Sequence, residues 1–349
     1  MAVIKVQKSH NLKTYKGNIM KQFLFFSVLL FTLVSCNFNQ KDNISKHFEP
    51  TVKSLKDNYE YPEWLMDAKF GIFTCWGPVT HAIQYGDRQM GWYAGRMYDE
   101  ETIEHAYHLK HFGNHNEFGY KDIIKEFKGE KFNAEEWAEI IENSGAKFAG
   151  PLAVHHDNFL MWKSNISPWN SYDIGPKIDI SGQMVKALRK RGIKFIGTFH
   201  HGFTHRFYEH AFKYDGNEAP ELYGIPHNPM SNQTNNTLAW RKIPGVMQES
   251  FLAKVNEFVK NYEPDMIYFD FGLGWNDENI KLQMYADFYN AAIAYGQTQP
   301  TVSQKQREGE QLNFSTLDLE RGRMDFLTSF PWVCDDSPDC LSSTIRVLS

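Results

Sequence analysis

A chain of 349 residues with a formal net charge of −5 has room for two average domains or one large α/β barrel. That acidic balance, with no basic run outside the N-terminus, excludes nucleic acid as the expected partner, whose footprint is a basic patch. Aromatic residues make up 15% of the chain, enough for a large core and also for the ring-lined clefts that hold sugars.

Met20-Lys21 opens an apolar run, residues 22–32, that is too short to cross a bilayer comfortably and ends in Leu33-Val34-Ser35-Cys36. The last four residues look like a bacterial lipobox, which implies cleavage before Cys36 and acylation of its thiol. A lipid-anchored protein of the bacterial periplasm or outer membrane is expected. Residues 1–36 are then an upstream extension with a signal peptide, residues 37–53 a polar tether, and residues 54–349 the catalytic barrel. Cys75, Cys334 and Cys340 are odd in number and lack zinc-type spacing, so no disulfide framework is expected.

Residues 69–77 form an apolar run punctuated by glycine, consistent with a first strand and its exit loop. An aromatic-rich segment with Gly91-Trp92-Tyr93 and Arg96-Met97-Tyr98 follows. Asn133 can cap a helix with Glu136 at the capping-box position, while Phe132 and Trp137 sit as a hydrophobic staple. Trp137, Ile140 and Ile141 are expected on its buried face, and Gly145 ends it. The strand over 147–154 ends in His155-His156-Asp157. A helix over 181–191 then leads to a strand over 194–199 that ends in His200-His201. A third helix, over 247–262, places Phe251, Leu252, Val255, Phe258 and Val259 at helical spacing. It delivers the chain to a Pro264 turn and the apolar run Met266-Ile267-Tyr268-Phe269, which meets Asp270. A helix over 279–295 precedes a strand over 301–303.

Strands alternating with such helices predict βαβ units and a parallel sheet. Polar groups at several strand ends favour an α/β fold of the (β/α)8-like TIM-barrel type over a doubly wound sheet. No glycine-rich phosphate fingerprint follows any strand. Beyond Trp332 a last strand and helix are not recognisable, and residues 342–349 match no barrel element. The barrel is therefore expected to be incomplete at its C-terminal end.

Asp is a poor strand residue and costly to bury unpaired, and the carboxyl ends of barrel strands open onto the active-site face. Asp270 is thus read as a catalytic carboxylate, against the blander role of capping the next turn. The paired histidines suit the reading of sugar hydroxyls, since an imidazole both donates and accepts. Imidazoles also bind divalent metals. The absence of His-x-His on the first strand and of a helical His-Glu-x-x-His argues against that, so no metal or cofactor is expected. A nucleophilic Asp270 needs a second carboxyl group roughly 5 Å away if the enzyme retains configuration. Asp318, Glu320, Asp325, Asp335 and Asp336 are available. Glu320 is preferred for its turn-like position and its reach, against a surface Glu paired with Arg321 or Arg323.

Read together, these segments resemble the retaining α-L-fucosidases of glycoside hydrolase family 29. Residues 69–77 (KFGIFTCWG) are similar to the family's KFGIFIHWG, and Gly91-Trp92-Tyr93 to its EWY. The stretch from Gly145 to His155-His156-Asp157-Asn158-Phe159 is similar to GAKY…HHDGF, and Ile267-Tyr268-Phe269-Asp270 to LWFD. The resemblance implies a retaining exo-α-L-fucosidase that removes terminal fucose by double displacement, with Asp270 as nucleophile and Glu320 as acid/base. His155, His156 and Trp92 would line the sugar pocket, with further contacts from His200, His201 and Trp76. Lys305 or Arg307 would supply a basic group. The implied partner is a fucosylated oligosaccharide or glycoconjugate, alongside the membrane reached through the lipid anchor. The β-sandwich that commonly follows this barrel has no counterpart in the sequence. Cys75 stands where the family has a sugar-bonding His, Gly91 replaces Glu, and Asn158 replaces Gly. These departures leave open a catalytically impaired fucose- or glycan-binding lipoprotein. A metal-dependent barrel hydrolase is the remaining alternative.

Overall fold

The computed structural model describes residues 46–83, 92–224, 243–270, 273–305, 310–336 and 346–348. Cys36, Gly91, Arg307, Cys340 and all of the predicted tether before residue 46 lie outside them. Seven strands run parallel in sequence order: β1 (Gly71–Thr74), β2 (Phe148–Val154), β3 (Lys194–Phe199), β4 (Met266–Phe269), β5 (Thr301–Gln304), β6 (Thr316–Asp318) and β7 (Trp332–Val333). Cys334 separates β7 from β8 (Asp335–Asp336). β8 pairs antiparallel with β9 (Arg346–Leu348), which pairs antiparallel with β1. The architecture is a (β/α)8-like barrel that is incomplete at its C-terminal end, as expected: among the described residues no ladder joins β7 to β8, and an antiparallel β9 lies beside β1. β9 corrects the expectation that residues 342–349 contain no barrel element.

Helices return the chain only over the first part of the ring. They are α1 (Val52–Asn58), α2 (Glu63–Ala68), α3 (Ala134–Asn143), α4 (Ile180–Lys190), α5 (Gly245–Tyr262) and α6 (Glu278–Ala294), with further helices in the excursions after β1 and β3. Among the described residues, the connection from β5 to β6 contains the 3-10 turn Glu310–Asn313 and no α-helix, and that from β6 to β7 carries no helix. Asn133 caps α3 as expected, its Oδ1 accepting from the amides of Glu135 and Glu136, and Phe132 meets Trp137 edge-on at 5.2 Å. Gly145, at φ 87°, ends the unit where a side chain would be strained. Ile140 is 58% exposed; the buried stripe of α3 is instead Ala134, Ala138 and Ile141, at positions i, i+4 and i+7.

The fold also starts earlier than the proposed tether boundary. Phe48 is buried and exchanges two 2.8 Å hydrogen bonds with the Asn290 side chain, and α1 begins at Val52.

Side chains alternate across each strand. Phe73, Phe148, Ile196, Met266 and Tyr268 fill the barrel interior. Ile72, Ala149, Phe195, Ile267 and Phe269 pack outward against the helices. This two-residue period fixes which strand-end groups enter the barrel mouth.

Candidate active site

Continuing the alternation past the last paired residue of each strand places Cys75 two residues after Phe73, His200 four after Ile196, and Asp270 two after Tyr268. All three positions fall on the inward register. Lys305, Asp318 and Glu320 follow the same rule on β5 and β6, whose inward hydroxyls Thr301 and Thr316 meet at 2.9 Å.

Asp270 is 8% exposed. Its Oδ1 contacts the Lys305 ammonium, and its Oδ2 lies 3.0 Å from His200 Nε2. The same ammonium stands 3.3 Å from Glu320 Oε2 and 3.3 Å from Asp335 Oδ2. One cation therefore draws together carboxylates from three separate segments. Two carboxylates that touch one ammonium stand no more than about 6 Å apart, nearer the retaining than the inverting spacing of glycosidases. Glu320 is half exposed, and Arg321 and Arg323 pair elsewhere, with Asp336 and Asp325. The ion pair with Lys305 thus replaces the surface pairing that had been the alternative for Glu320.

Beneath this trio lies Asp318, 1% exposed. It accepts from the Tyr268 hydroxyl at 2.8 Å and from the Asp335 amide at 3.0 Å. Burial and the neighbouring Asp335 hold its carboxyl well above the usual range, so the inner pair keeps a proton near neutrality. Tyr268 also reaches towards Asp270, 3.4 Å from Oδ1. Asp318 and Asp335 carry the signal that singled out Asp270, a carboxylate next to a buried strand, but the longer reach of Glu320 drew the sequence reading away from them.

The opposite wall is built from rings. His155 stacks on His200 at 5.2 Å and tilts against His156 at 4.5 Å; Trp92 lies 5.0 Å from His156 and is 39% exposed. Phe203 and Phe207 back both Trp92 and His156. The loop carrying the histidines is held from behind by Asp157, which accepts from the Tyr120 hydroxyl at 2.7 Å. Burial pushes Asp157 up to about 6.

Two predicted contacts fall outside this assembly. Trp76 is on the outward register of β1 and packs with Phe127, Phe132 and Trp137 at 5.0 to 5.5 Å. His201, one residue past His200, turns outward and stacks on Phe251 of α5 at 4.6 Å. Both corrections have one cause, the pleat, which sends neighbouring residues to opposite faces. Asn158 adopts φ 62°, a left-handed conformation that Asn tolerates and that explains its standing where glycine is usual.

A family model described as α-L-fucosidase matches residues 35–342. A putative α-L-fucosidase of Caenorhabditis elegans is 35% identical over 175 residues, 50% of this chain and 33% of that protein. An α-L-fucosidase of Dictyostelium discoideum is 28% identical over 251 residues, 71% of this chain and 47% of that protein. The chain thus spans less than half the length of these curated relatives. The crystal structure of Thermotoga maritima α-fucosidase in complex with fucose shares the fold, with a TM-score of 0.58 at 24% identity over 79% of this chain and 62% of that one.

Proposed function

Because the chain belongs to the α-L-fucosidase family, we propose that it is a retaining exo-α-L-fucosidase acting on fucosylated oligosaccharides or glycoconjugates. The observation that carries this is the bracketing of one ammonium, Lys305, by Asp270 and Glu320 at the mouth of the barrel, opposite the histidine wall. In the first step an oxygen of Asp270 attacks the anomeric carbon while Glu320 protonates the departing glycosidic oxygen, leaving fucose esterified to Asp270. In the second, Glu320 takes a proton from water, and the resulting attack on the same carbon releases fucose with its configuration kept. Lys305 compensates the buried charge of Asp270 in the free enzyme. His155, His156 and His200 read ring hydroxyls, and the exposed face of Trp92 covers the apolar side of the sugar.

Acylation at Cys36 and a periplasmic or outer-membrane location remain part of the proposal, on the strength of Leu33-Val34-Ser35-Cys36. Incorporation of labelled fatty acid that is lost in Cys36→Ala checks them.

The activity is tested with an aryl α-L-fucoside, following the first anomer released by proton NMR. Hydrolysis giving α-fucose first, and a fall of at least about 1,000-fold in Asp270→Ala with the fold retained by circular dichroism, is the expected result. Release of β-fucose first, or wild-type turnover by Asp270→Ala, contradicts the proposal.

A further inference from the structure

On the outer side of the histidine wall is a second cavity, of about 160 Å³, whose lining includes Lys254, His201, His205, Ser250, Thr204 and Glu221. Lys254 breaks the pattern of its helix. Phe251, Val255, Phe258 and Val259 are the buried apolar stripe of α5, and Lys254 sits in that stripe, 5% exposed. A buried ammonium normally has a carboxylate beside it, because uncompensated burial costs several kcal/mol. Among the described residues Lys254 has none in ion-pair range, and its one hydrogen-bond acceptor is the neutral Oδ1 of Asn158, at 2.7 Å.

Asn158 is locked in that role. Its Nδ2 donates to the carbonyls of Glu221 at 3.1 Å and Leu222 at 3.0 Å, so its oxygen is turned to Lys254. An ammonium has three donors, which leaves two N–H groups for the cavity. Burial pushes Lys254 down to about 8, so it still carries its charge at neutral pH. Burial and the Lys254 charge also hold His201 well below the usual imidazole range, so it brings no second cation to the cavity. Glu221 is exposed, at the rim.

The geometry points to a binding site for a small oxyanion, a carboxylate or sulfate, held by Lys254 with the hydroxyl of Ser250. The site is distinct from the pair Asp270 and Glu320 but shares a wall with their cleft: Thr204 donates to the carbonyl of His156 at 2.9 Å, and His201 follows His200 in the chain. The anion has two possible sources, an acidic sugar of a glycan or a free inorganic ion. The inference does not depend on the fucosidase reading.

Isothermal titration of the full chain with sodium sulfate and with sodium glucuronate, at ionic strength fixed with sodium chloride, tests it. One saturable site per chain is expected. Lys254→Met should weaken it at least about tenfold, and so should Ser250→Glu, which brings a negative charge into the cavity. If Lys254→Met fails to fold by circular dichroism, Ser250→Glu decides, since Ser250 is only half buried. Tighter glucuronate than sulfate identifies a sugar acid as the ligand, and the reverse identifies a free anion. No saturable binding to the wild type, or binding unchanged in the variants, overturns the inference.

Discussion

The two walls of the barrel mouth are built on different physics. The histidine wall, at the ends of β2 and β3, is held by packing: imidazole rings stack on one another and on Phe203 and Phe207, over strands flanked by full helices. The carboxylate wall, at the ends of β4 to β8, is held by charge, with Lys305 between Asp270, Glu320 and Asp335; past β5 the described residues between its strands form no α-helix. Packing spreads its energy over many small contacts, whereas a charge cluster concentrates it on the one group that balances the others. Losing a ring should therefore cost less than losing the cation.

The sharpest way to break this contrast is Lys305→Met. It removes the cation shared by Asp270, Glu320 and Asp335, and truncating one partner of a buried pair costs about 3–5 kcal/mol. Turnover should fall by at least about 100-fold, with a clearly lower midpoint in urea. A midpoint equal to wild type contradicts the idea that charge holds this wall. Next in size is Glu320→Gln, expected to lower kcat by about 100- to 10,000-fold on an alkyl fucoside and much less on an aryl fucoside whose leaving group needs no proton. An equal loss on both substrates removes Glu320 from the acid/base role.

On the other wall, Trp92→Ala removes the exposed ring while Phe203 and Phe207 remain. KM should rise about fivefold with little change in kcat, corresponding to roughly 1 kcal/mol of aromatic contact. A kcat effect as large as that of Glu320→Gln makes the two walls equivalent and ends the comparison. The smallest effect concerns the buried proton. Because the folded-state value of Asp318 is raised above its unfolded one, its contribution to stability is fully present at acid pH and is lost as pH rises through the raised value. Asp318→Asn, which has no proton to lose, should flatten the decline in urea stability between pH 5 and 9. An unchanged slope shows that the pair does not hold the proton.

Much of this site was legible in the sequence because strand ends announce themselves. Asp270, His155-His156 and His200 each close a buried run, and Asn133 and Gly145 bracket α3 by side-chain chemistry that acts within one turn. Trp76 and His201 each adjoin a residue on the inward register, and the pleat turns both to the outer face, which sequence order alone does not reveal. Asp318 and Asp335 are neighbours through the pairing of β6 with β7, which the chain leaves two residues before Asp335, and long-range register of that kind leaves no local trace. The antiparallel β9 is likewise fixed by its partners β1 and β8, so three residues of ordinary composition gave no sign of it. Lys254 has a readable signal, a cation inside the apolar stripe of a helix, though its distance from every carboxylate among the described residues required the fold.

The central claim is that Asp270 bonds to the sugar. Incubating the protein with 2-deoxy-2-fluoro-α-L-fucosyl fluoride and mapping the labelled peptide by mass spectrometry tests it most directly. The account predicts one fluorofucosyl adduct, on the peptide containing Asp270, and no adduct in Asp270→Ala. A label on another carboxylate, or inactivation with no covalent adduct, contradicts it.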